Sequence, residues 1–250
     1  MVDYDGRMSS VYVAGRRISP AEVARWTTAF AAYVPERRPL DVLDLGSGTG
    51  RFTPGLAAEF GGRVYGVEPA DRMREVAEPG PGVSYLKGSA EDIPLPEASV
   101  DLVLMFLTFH HWTDPLHGLR EVRRVLRPGG VALLRTQFSD LMPDLFWYRY
   151  FPSARVVDAA MYCTVAEARA LAVEAGLVPD ADVVRITGED PRTVRATYER
   201  LSVRALSTFE HLPEGETEAG FARFAADVEQ DPERVLPVHE ATMLVLTRPR

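Results

Sequence analysis

The sequence predicts an α/β fold around a mostly parallel sheet, and three observations lead to that expectation. Short apolar runs alternate with amphipathic runs over residues 40–136, which is the order of βαβ units. The apolar runs contain few polar residues, as parallel strands do when helices cover both faces of their sheet. The first apolar run leads into three alternating glycines, which is typical of a tight strand-to-helix turn.

Seven strands are expected in all, the last two near the end of the chain. They are predicted at residues 40–45, 63–68, 83–87, 100–106, 131–136, 178–186 and 242–247. Helices are predicted at residues 53–60, 71–78, 117–126, 164–175, 192–208 and 216–229. A Pro-Gly-Gly turn at residues 128–130 is expected to end the third of these helices before the fifth strand begins.

Two of these helices carry recognisable start signals. Thr53 is a candidate N-cap, and Pro54 is tolerated in a first helical turn. Thr164 and Glu167 have the spacing of a capping box, and Gly176 stands where a helix commonly ends in a left-handed residue.

The length and composition fit one domain, because 250 residues with 46% hydrophobic content can build a sizeable core. We expect this domain to comprise an N-terminal cap, a core, a lid and a C-terminal half with inserted helices. These parts are assigned to residues 1–38, 39–137, 138–163 and 164–250, with the inserted helices at 190–230. The lone cysteine, Cys163, cannot form an internal disulfide.

The charge balance indicates a small-molecule partner. A net charge of -8 argues against sequence-independent binding to nucleic acid or to an anionic membrane, since both require a basic surface. Residues 1–17 lack the order of a signal peptide, and no apolar run is long enough to span a bilayer. We therefore expect a cytoplasmic protein, a monomer or homodimer. Arginine replaces lysine everywhere except at Lys87, which points to a GC-rich bacterial genome.

The glycine run DVLDLGSGTG at residues 41–50 predicts a nucleoside-cofactor site. Glycine lets the backbone approach a ligand closely, and the following helix presents free N–H groups. A dinucleotide fingerprint would require a further glycine where Arg51 stands, so this spacing disfavours NAD.

Four blocks in order resemble the motifs of class I S-adenosylmethionine-dependent methyltransferases, close to the small-molecule group typified by ubiquinone and menaquinone biosynthesis methyltransferases. The blocks are VLDLGSGTGRF at 42–52, VYGVEPADRM at 64–73, VSYLKGSAEDIPLPEASVDLVL at 83–104 and LRPGGVALLR at 126–135. The resemblance implies a Rossmann-like, seven-stranded, mostly parallel sheet with helices on both faces and a helical lid. It also implies S-adenosylmethionine as the cofactor and S-adenosylhomocysteine as the product.

The resemblance assigns the methionine portion of that cofactor to Asp44 and to the loop that follows it, and the ribose diol to the carboxylate of Glu68. A helix-capping role for Asp44 and a surface position for Glu68 are the alternatives. The loop residues implied are Gly46, Ser47, Gly48 and Gly50.

The adenine contacts are less sharply indicated. The family usually has Asp after the glycine of its third block, whereas Ser89 stands at that position here. The exocyclic amine would then be met by Ser89, Glu91 or Asp92, and a ring nitrogen by the backbone of Ala90. The remaining implied cofactor residues are Pro69, Met73 and Phe106, and a core position is the alternative for Met73. Tyr12 and Arg16 of an N-terminal Tyr-x-x-x-Arg element would meet the cofactor carboxylate, and a solvent-exposed arginine is the alternative.

The catalytic candidates are His110 and His111, just beyond the fourth strand, where open α/β sheets bind ligands. A base is needed only for an acceptor that is protonated at neutral pH. The alternative is that these histidines hold the loop. No metal site is expected, since adjacent histidines point in different directions.

The acceptor is expected to meet the aromatic-rich segment 138–162. Aromatic rings there suit a planar or apolar acceptor and attract a sulfonium. Ordinary packing of a lid helix or a dimer contact is the alternative. The candidate acceptor residues are Trp112, Trp147, Tyr148 and Phe151.

The sequence thus predicts methyl transfer from S-adenosylmethionine to O, N or C of a small molecule, in bacterial secondary metabolism. A cofactor-binding scaffold with another chemistry, such as cyclisation, is the alternative within the fold. A nicotinamide-dependent oxidoreductase is the alternative outside it.

Overall fold

A mixed sheet of eight strands forms the centre of the protein in the computed structural model, which describes residues 18–187 and 190–250. The strands are β1 (Leu40–Leu45), β2 (Gly61–Val67), β3 (Val83–Leu86), β4 (Val100–Phe106), β5 (Leu126–Thr136), β6 (Val178–Pro179), β7 (Val184–Ile186) and β8 (Ala241–Thr247). The helices of the described part are α1 (Pro20–Ala31), α2 (Thr53–Phe60), α3 (Asp71–Glu75), α4 (Pro115–Val125), α5 (Ala154–Met161), α6 (Val165–Glu174), α7 (Val194–Ser202) and α8 (Glu216–Gln230).

The strand order is β3-β2-β1-β4-β5-β8-β6, with β7 also paired to β8. Strands β1 to β5 pair in parallel, while β6, β7 and β8 pair antiparallel to their neighbours. The order reverses between β1 and β4, and in open α/β sheets ligands bind in the crevice at that switch point, beyond the carboxyl ends of the strands. The fold therefore places residues that follow β1, β2, β4 and β5 around one crevice.

The sixth predicted strand, at residues 178–186, is divided into two short strands, β6 and β7, which pair with the same edge of β8. Val178 pairs with Thr247 and Val184 with Met243, so the intervening chain holds two residues more than the part of β8 that faces it. Asp180 and Asp182 lie in this bulge, and aspartate is disfavoured in strands. The prediction of seven strands is therefore wrong by one, because a bulge divides the edge strand.

Strand β5 begins earlier than the Pro-Gly-Gly turn predicted. The backbone becomes extended at Leu126, directly after α4, and Leu126 pairs with Val100. The extra residues are absorbed as an irregularity in the register, where Gly129 has φ +75° and its N–H donates to the carbonyl of Arg248. The turn at residues 128–130 therefore lies within β5 and interrupts its pairing with β4, whereas the sequence places it before the strand.

Helices cover both faces of the sheet. On one face Leu119 and Val122 of α4 pack with Ala168 and Ala172 of α6 in the core. On the other face the core contains large side chains of α1 and α2, namely Trp26, Phe30, Leu56 and Phe60. The Rossmann-like fold with helices on both faces is thereby confirmed.

The start signals predicted for two helices had different outcomes. Thr164 and Glu167 form the capping box, with the Glu167 N–H donating to Thr164 Oγ1 at 3.1 Å and the Thr164 N–H donating to Glu167 Oε2 at 2.8 Å. Helix α2 begins at Thr53 with Phe52 as its N-cap and no side-chain cap. Thr53 as an N-cap is therefore a wrong prediction.

A third apolar cluster, built from residues 147–236 of the chain after β5, forms a cap over the crevice. Trp147 and Phe151 pack with Phe209, Phe221 and Phe224, apart from the two clusters of the sheet. The ring of Tyr150 stacks on Phe224 with centroids 4.1 Å apart. Much of the aromatic content of segment 138–162 therefore holds the cap together.

None of the helices in the described ranges is long and apolar enough to cross a membrane.

Candidate active site

The loop at residues 46–50 is held against the end of β2. The N–H groups of Gly46 and Ser47 both donate to the carbonyl of Val67, at 2.8 and 3.1 Å. Gly46 has φ +75°, and a Cβ on it would lie 2.2 Å from Oγ1 of Thr108, which follows β4. Glycine is required at this position both by backbone conformation and by the close approach of the chain after β4.

Asp44, the fifth residue of β1, is 3% exposed. Its Oδ2 accepts a hydrogen bond from Oγ1 of Thr53 at 2.7 Å. Burial raises the pKa of Asp44 to about 6, a shift that the Thr53 hydroxyl and the charge of Arg51 oppose. The hydroxyl that sequence reasoning assigned to a helix cap thus serves the strand-end carboxylate.

Glu68 follows β2 directly and is 8% exposed. Its Oε2 accepts from the N–H of Gly48 and its Oε1 from the N–H of Ala70, both at 3.0 Å. Glu68 therefore fixes the glycine loop as well as presenting a carboxylate at the strand end, which the surface-glutamate alternative does not describe.

The loop residues fit a zwitterionic, hydroxyl-bearing cofactor. Gly46, Gly48 and Gly50 all have positive φ, which leaves backbone groups without side chains above them. Ser47 Oγ is buried and has no hydrogen-bond partner among the described residues. A buried hydroxyl of this kind suits a ligand that supplies its partner.

The residues predicted for the adenine side have mixed surroundings. Met73 and Ala90 are buried, whereas Pro69 is exposed. Glu91 Oε1 accepts from the N–H groups of Thr113 and Asp114 at 2.8 and 3.1 Å. Although burial acts to raise the pKa of Glu91, these backbone groups and the Ser89 hydroxyl lower it. Glu91 thus holds the turn before α4.

Phe106 ends β4 among aromatic and guanidinium groups. Its ring centroid lies 4.4 Å from that of Phe52 and 5.0 Å from that of Trp26. The guanidinium groups of Arg51 and Arg135 lie 5.4 and 4.9 Å from its centroid. The ring therefore sits between the loop side of the crevice and the strand end of β5.

The two histidines form a 3₁₀ turn, Phe109–His111, after β4. Their ring centroids are 3.9 Å apart, and His110 lies 4.7 Å from the ring of Tyr162 in the cap. Leu107, which precedes the turn, has φ +54°, a strained backbone conformation for a residue other than glycine. The histidines thus stand at the sheet edge where the cap begins.

A cavity of about 220 Å³ lies over the carboxyl ends of β4 and β5 and under the cap. Its sheet side is formed by Leu107, Arg135, Gln137 and Thr242. The cap side includes Trp147, Asp158, Tyr162, Arg200, Leu201, Thr208 and His239. The cavity is smaller than the roughly 300–1,000 Å³ of typical ligand pockets, so it suits a compact molecule.

The structure brings only part of the predicted acceptor set to this cavity. Trp147 lines it. Tyr148 and Phe151 are buried within the cap cluster, and Trp112 packs on Phe109 and α4 in the core of the sheet. Tyr12 and Arg16 lie outside the described residues.

The sequence patterns do not single out the charged residues of the cavity, of which Arg135 and Asp158 are the most buried. Arg135, 8% exposed, lies at the end of β5, and the strand-end rule that singled out Asp44 could have found it. Asp158 on α5 is 4% exposed and accepts hydrogen bonds from Tyr148 and Thr208. No local pattern distinguishes Asp158 from the other aspartates of segment 138–162.

In the described part of the chain, no cluster of three or more His, Cys, Asp or Glu side chains could hold a metal ion.

The strand order, the glycine loop and the two strand-end carboxylates define a class of protein, namely a Rossmann-like domain with a nucleoside-cofactor crevice. Comparison with known proteins indicates which proteins of this class the chain resembles. Residues 43–134 match the family described as methyltransferase domain. Over this part of its length the chain is similar to methyltransferases, and its fold is shared by solved structures described as methyltransferases.

Individual relatives agree with this family. An uncharacterized methyltransferase of Mycobacterium tuberculosis is 43% identical over 126 residues, which are 50% of this chain and 48% of that protein. A structure described as a methyltransferase from an antibiotic biosynthesis pathway of Anabaena variabilis has a TM-score of 0.72 at 23% identity, covering 92% of this chain and 99% of that one. A [4+2]-cyclase shares the fold with a TM-score of 0.59 at 18% identity, covering 90% and 80%. The chain spans about half the length of the first curated relatives it matches.

The close approach at Gly46 predicts a specific loss of stability in Gly46→Ala. Gly215 is a matched control, because it has φ +77° and nothing lies within 4 Å of the position of its Cβ. Gly215→Ala should cost only the left-handed backbone strain of about 1–2 kcal/mol. Gly46→Ala should cost about 1–3 kcal/mol more, because Thr108 must move. Equal unfolding free energies of the two variants in urea would contradict this account.

Proposed function

We propose that the protein transfers a methyl group from S-adenosylmethionine to an O, N or C atom of a small molecule. The observation that carries this proposal is the pairing of two sites in one crevice. Asp44 and Glu68 stand at neighbouring strand ends around the glycine loop, and the cavity under the cap is lined by Leu107, the residue before Thr108, which approaches Gly46. A donor and an acceptor each have a place.

The donor would be held by two carboxylates and a hydroxyl, which suit its ammonium and hydroxyl groups. Asp44 faces the ammonium of its methionine portion, and the carboxylate of Glu68 accepts from the ribose hydroxyls. Ser47 supplies a buried hydroxyl to the same ligand. Met73, Ser89, Ala90 and the chain near Glu91 lie on the adenine side, where Glu91 is engaged with the backbone of the turn before α4.

The donor supplies an electrophilic methyl group on its sulfonium, so the protein mainly has to orient a nucleophile and exclude water. The cap encloses the acceptor, with Trp147 and Tyr162 on the cavity wall. His110 or His111 would take the proton of an acceptor that is protonated at neutral pH. The contact between His110 and Tyr162 supports this role, because it brings the imidazole beside the cavity wall.

The finer assignment is a compact acceptor of bacterial secondary metabolism, modified in the cytoplasm by a member of the group resembling ubiquinone and menaquinone methyltransferases. The cavity size supports a small molecule. The fold is shared with the Anabaena methyltransferase described as part of an antibiotic pathway.

The competing function is a cyclisation on the same cofactor-binding scaffold. The [4+2]-cyclase that shares the fold motivates this candidate, because a fold by itself does not determine a chemistry.

Methyl transfer is tested directly with the full chain. We expect tight binding of S-adenosylhomocysteine and no binding of NADH by calorimetry. Incubation with methyl-labelled S-adenosylmethionine and a panel of phenols, amines and carboxylates should then transfer the labelled methyl group to one of these acceptors. Binding of the cofactor with conversion of an acceptor but no label transfer would favour the scaffold function. Binding of NADH alone would overturn both.

The role of Glu68 predicts weaker cofactor binding in Glu68→Ala. Loss of hydrogen bonds to a charged group should raise the Kd of S-adenosylhomocysteine by about tenfold or more. Glu75→Ala is the control, since Glu75 is an exposed carboxylate on the nearby α3. Thermal unfolding of both variants separates cofactor contact from loosening of the loop. An unchanged Kd in a folded Glu68→Ala protein would refute the ribose role.

The pKa of Asp44 predicts that cofactor affinity depends on pH. Asp44 must be ionised to face an ammonium, and its pKa of about 6 leaves it mostly protonated at pH 5. The affinity for S-adenosylhomocysteine should therefore fall about tenfold between pH 7.5 and pH 5. Asp44→Asn should bind more weakly at pH 7.5 and lose most of this dependence. A slope that persists in Asp44→Asn would assign the titration to another group.

A further inference from the structure

Asp158 is a buried carboxylate on the wall of the cavity under the cap. It belongs to α5 and is 4% exposed, yet it contributes to the cavity lining. A carboxylate in such a place loses hydration, which is costly unless other groups replace the water. The hydrogen-bond partners of Asp158 therefore show how far its lost hydration is replaced.

The partners that replace water are two neutral hydroxyls. Tyr148 donates its O–H to Oδ2 at 2.7 Å, and Thr208 donates from Oγ1 to Oδ1 at 2.6 Å. Within residues 18–187 and 190–250 no cation lies within 4.0 Å of this carboxylate. Burial accordingly raises the pKa of Asp158, against the effect of the two hydroxyls.

The carboxylate has unused capacity on the cavity side. Its two oxygens offer about four lone-pair sites, of which the two hydroxyls occupy one each. Thr208 lines the same cavity, so the Oδ1 side of the carboxylate borders the space that an acceptor would fill. A donor group on a molecule in this cavity can therefore reach Asp158.

The charges of the cavity decide which kind of donor is suitable. Arg135, Arg192 and Arg200 all line it, and so do the carboxylates of Asp190 and Glu240, which are exposed to solvent. Arg135 is buried against the rings of Trp26 and Phe106, and Arg192 forms an ion pair with Glu22 at 3.1 Å. Asp190 is paired with Arg25 and solvent screens the exposed Glu240, so the less exposed guanidinium groups dominate the charge of the cavity and disfavour an ammonium there. A neutral hydroxyl avoids that repulsion and still donates to the carboxylate.

We propose that Asp158 accepts a hydrogen bond from a hydroxyl group of the acceptor, so that the cavity selects hydroxylated over amino or fully etherified molecules. The proposal rests on the proposed function for the word acceptor, and it narrows the substrate class to compact hydroxyl-bearing molecules. Asp158 acts in recognition, and Tyr148 and Thr208 orient it.

Phenol and anisole test the proposal with the full chain, because both are small enough for the cavity and differ in the one donor. We expect phenol to bind in the cavity, detected by shifts of the NMR signals of Trp147 and Thr208, with a Kd about tenfold lower than that of anisole. Benzylammonium should bind more weakly than phenol. Absence of phenol binding, equal affinity for phenol and anisole, or tighter binding of benzylammonium would each overturn the proposal.

Asp158→Asn tests the residue itself. The amide keeps one oxygen but replaces the other with a donor, so the preference for phenol over anisole should fall to about twofold or less. Asp144→Asn is the control, because Asp144 is an exposed aspartate of the same segment, and it should keep the preference. A preference that survives in folded Asp158→Asn would overturn the assignment. If the variant does not fold, the comparison of phenol, anisole and benzylammonium on the unmodified protein still decides.

Binding of S-adenosylhomocysteine to the same preparation separates the two proposals. Loss of the phenol preference with intact cofactor binding rejects hydroxyl selection and leaves methyl transfer standing. A phenol preference without cofactor binding rejects methyl transfer and supports a hydroxyl-selecting cavity.

Discussion

The attachment of the glycine loop to the end of β2 is the constraint on which the rest of the site depends. The carbonyl of Val67 accepts from two successive N–H groups of the loop, and the carboxylate of Glu68 accepts from Gly48. These hydrogen bonds hold the loop close to the strand ends. Because Gly46 has no side chain, Thr108 after β4 can occupy the space where a Cβ of residue 46 would lie. The crevice takes its shape from this contact between three strand ends.

Two buried carboxylates of the protein are stabilised in the same way, by hydrogen bonds from neutral hydroxyl groups. Asp44 and Asp158 are both buried carboxylates whose hydration is replaced by hydroxyl donors, Thr53 in one case and Tyr148 with Thr208 in the other. Burial raises the pKa of each, which leaves each carboxylate poised to gain from a further donor. Asp44 lies in β1 beside the glycine loop, and Asp158 lies on the wall of the cavity under the cap.

The cofactor side of the site was predictable because its parts are local in sequence. Asp44 and Glu68 each end an apolar strand, and the ends of neighbouring parallel strands meet at one edge of a sheet. The acceptor side was not predictable in this way. Their aromatic rings predict Tyr148 and Phe151 as acceptor residues, but aromatic side chains also build cores, and in this cap they pack against α7 and α8. The positions of the histidines and of Glu68 are described by the structure, while their roles stay predictions.

The sequence by itself determined the class of fold, the order of its elements and the placing of two acids and a glycine loop at neighbouring strand ends, since strand patterns, glycine spacing and strand-end acids are short-range signals. The tertiary structure alone decided that Thr53 serves Asp44, that residues 178–186 divide into two strands, and that Asp158 and Arg135 face one cavity. These features arise from contacts between segments far apart in the chain. A side chain's partner there depends on how the cap packs over the sheet, and no local pattern encodes that packing.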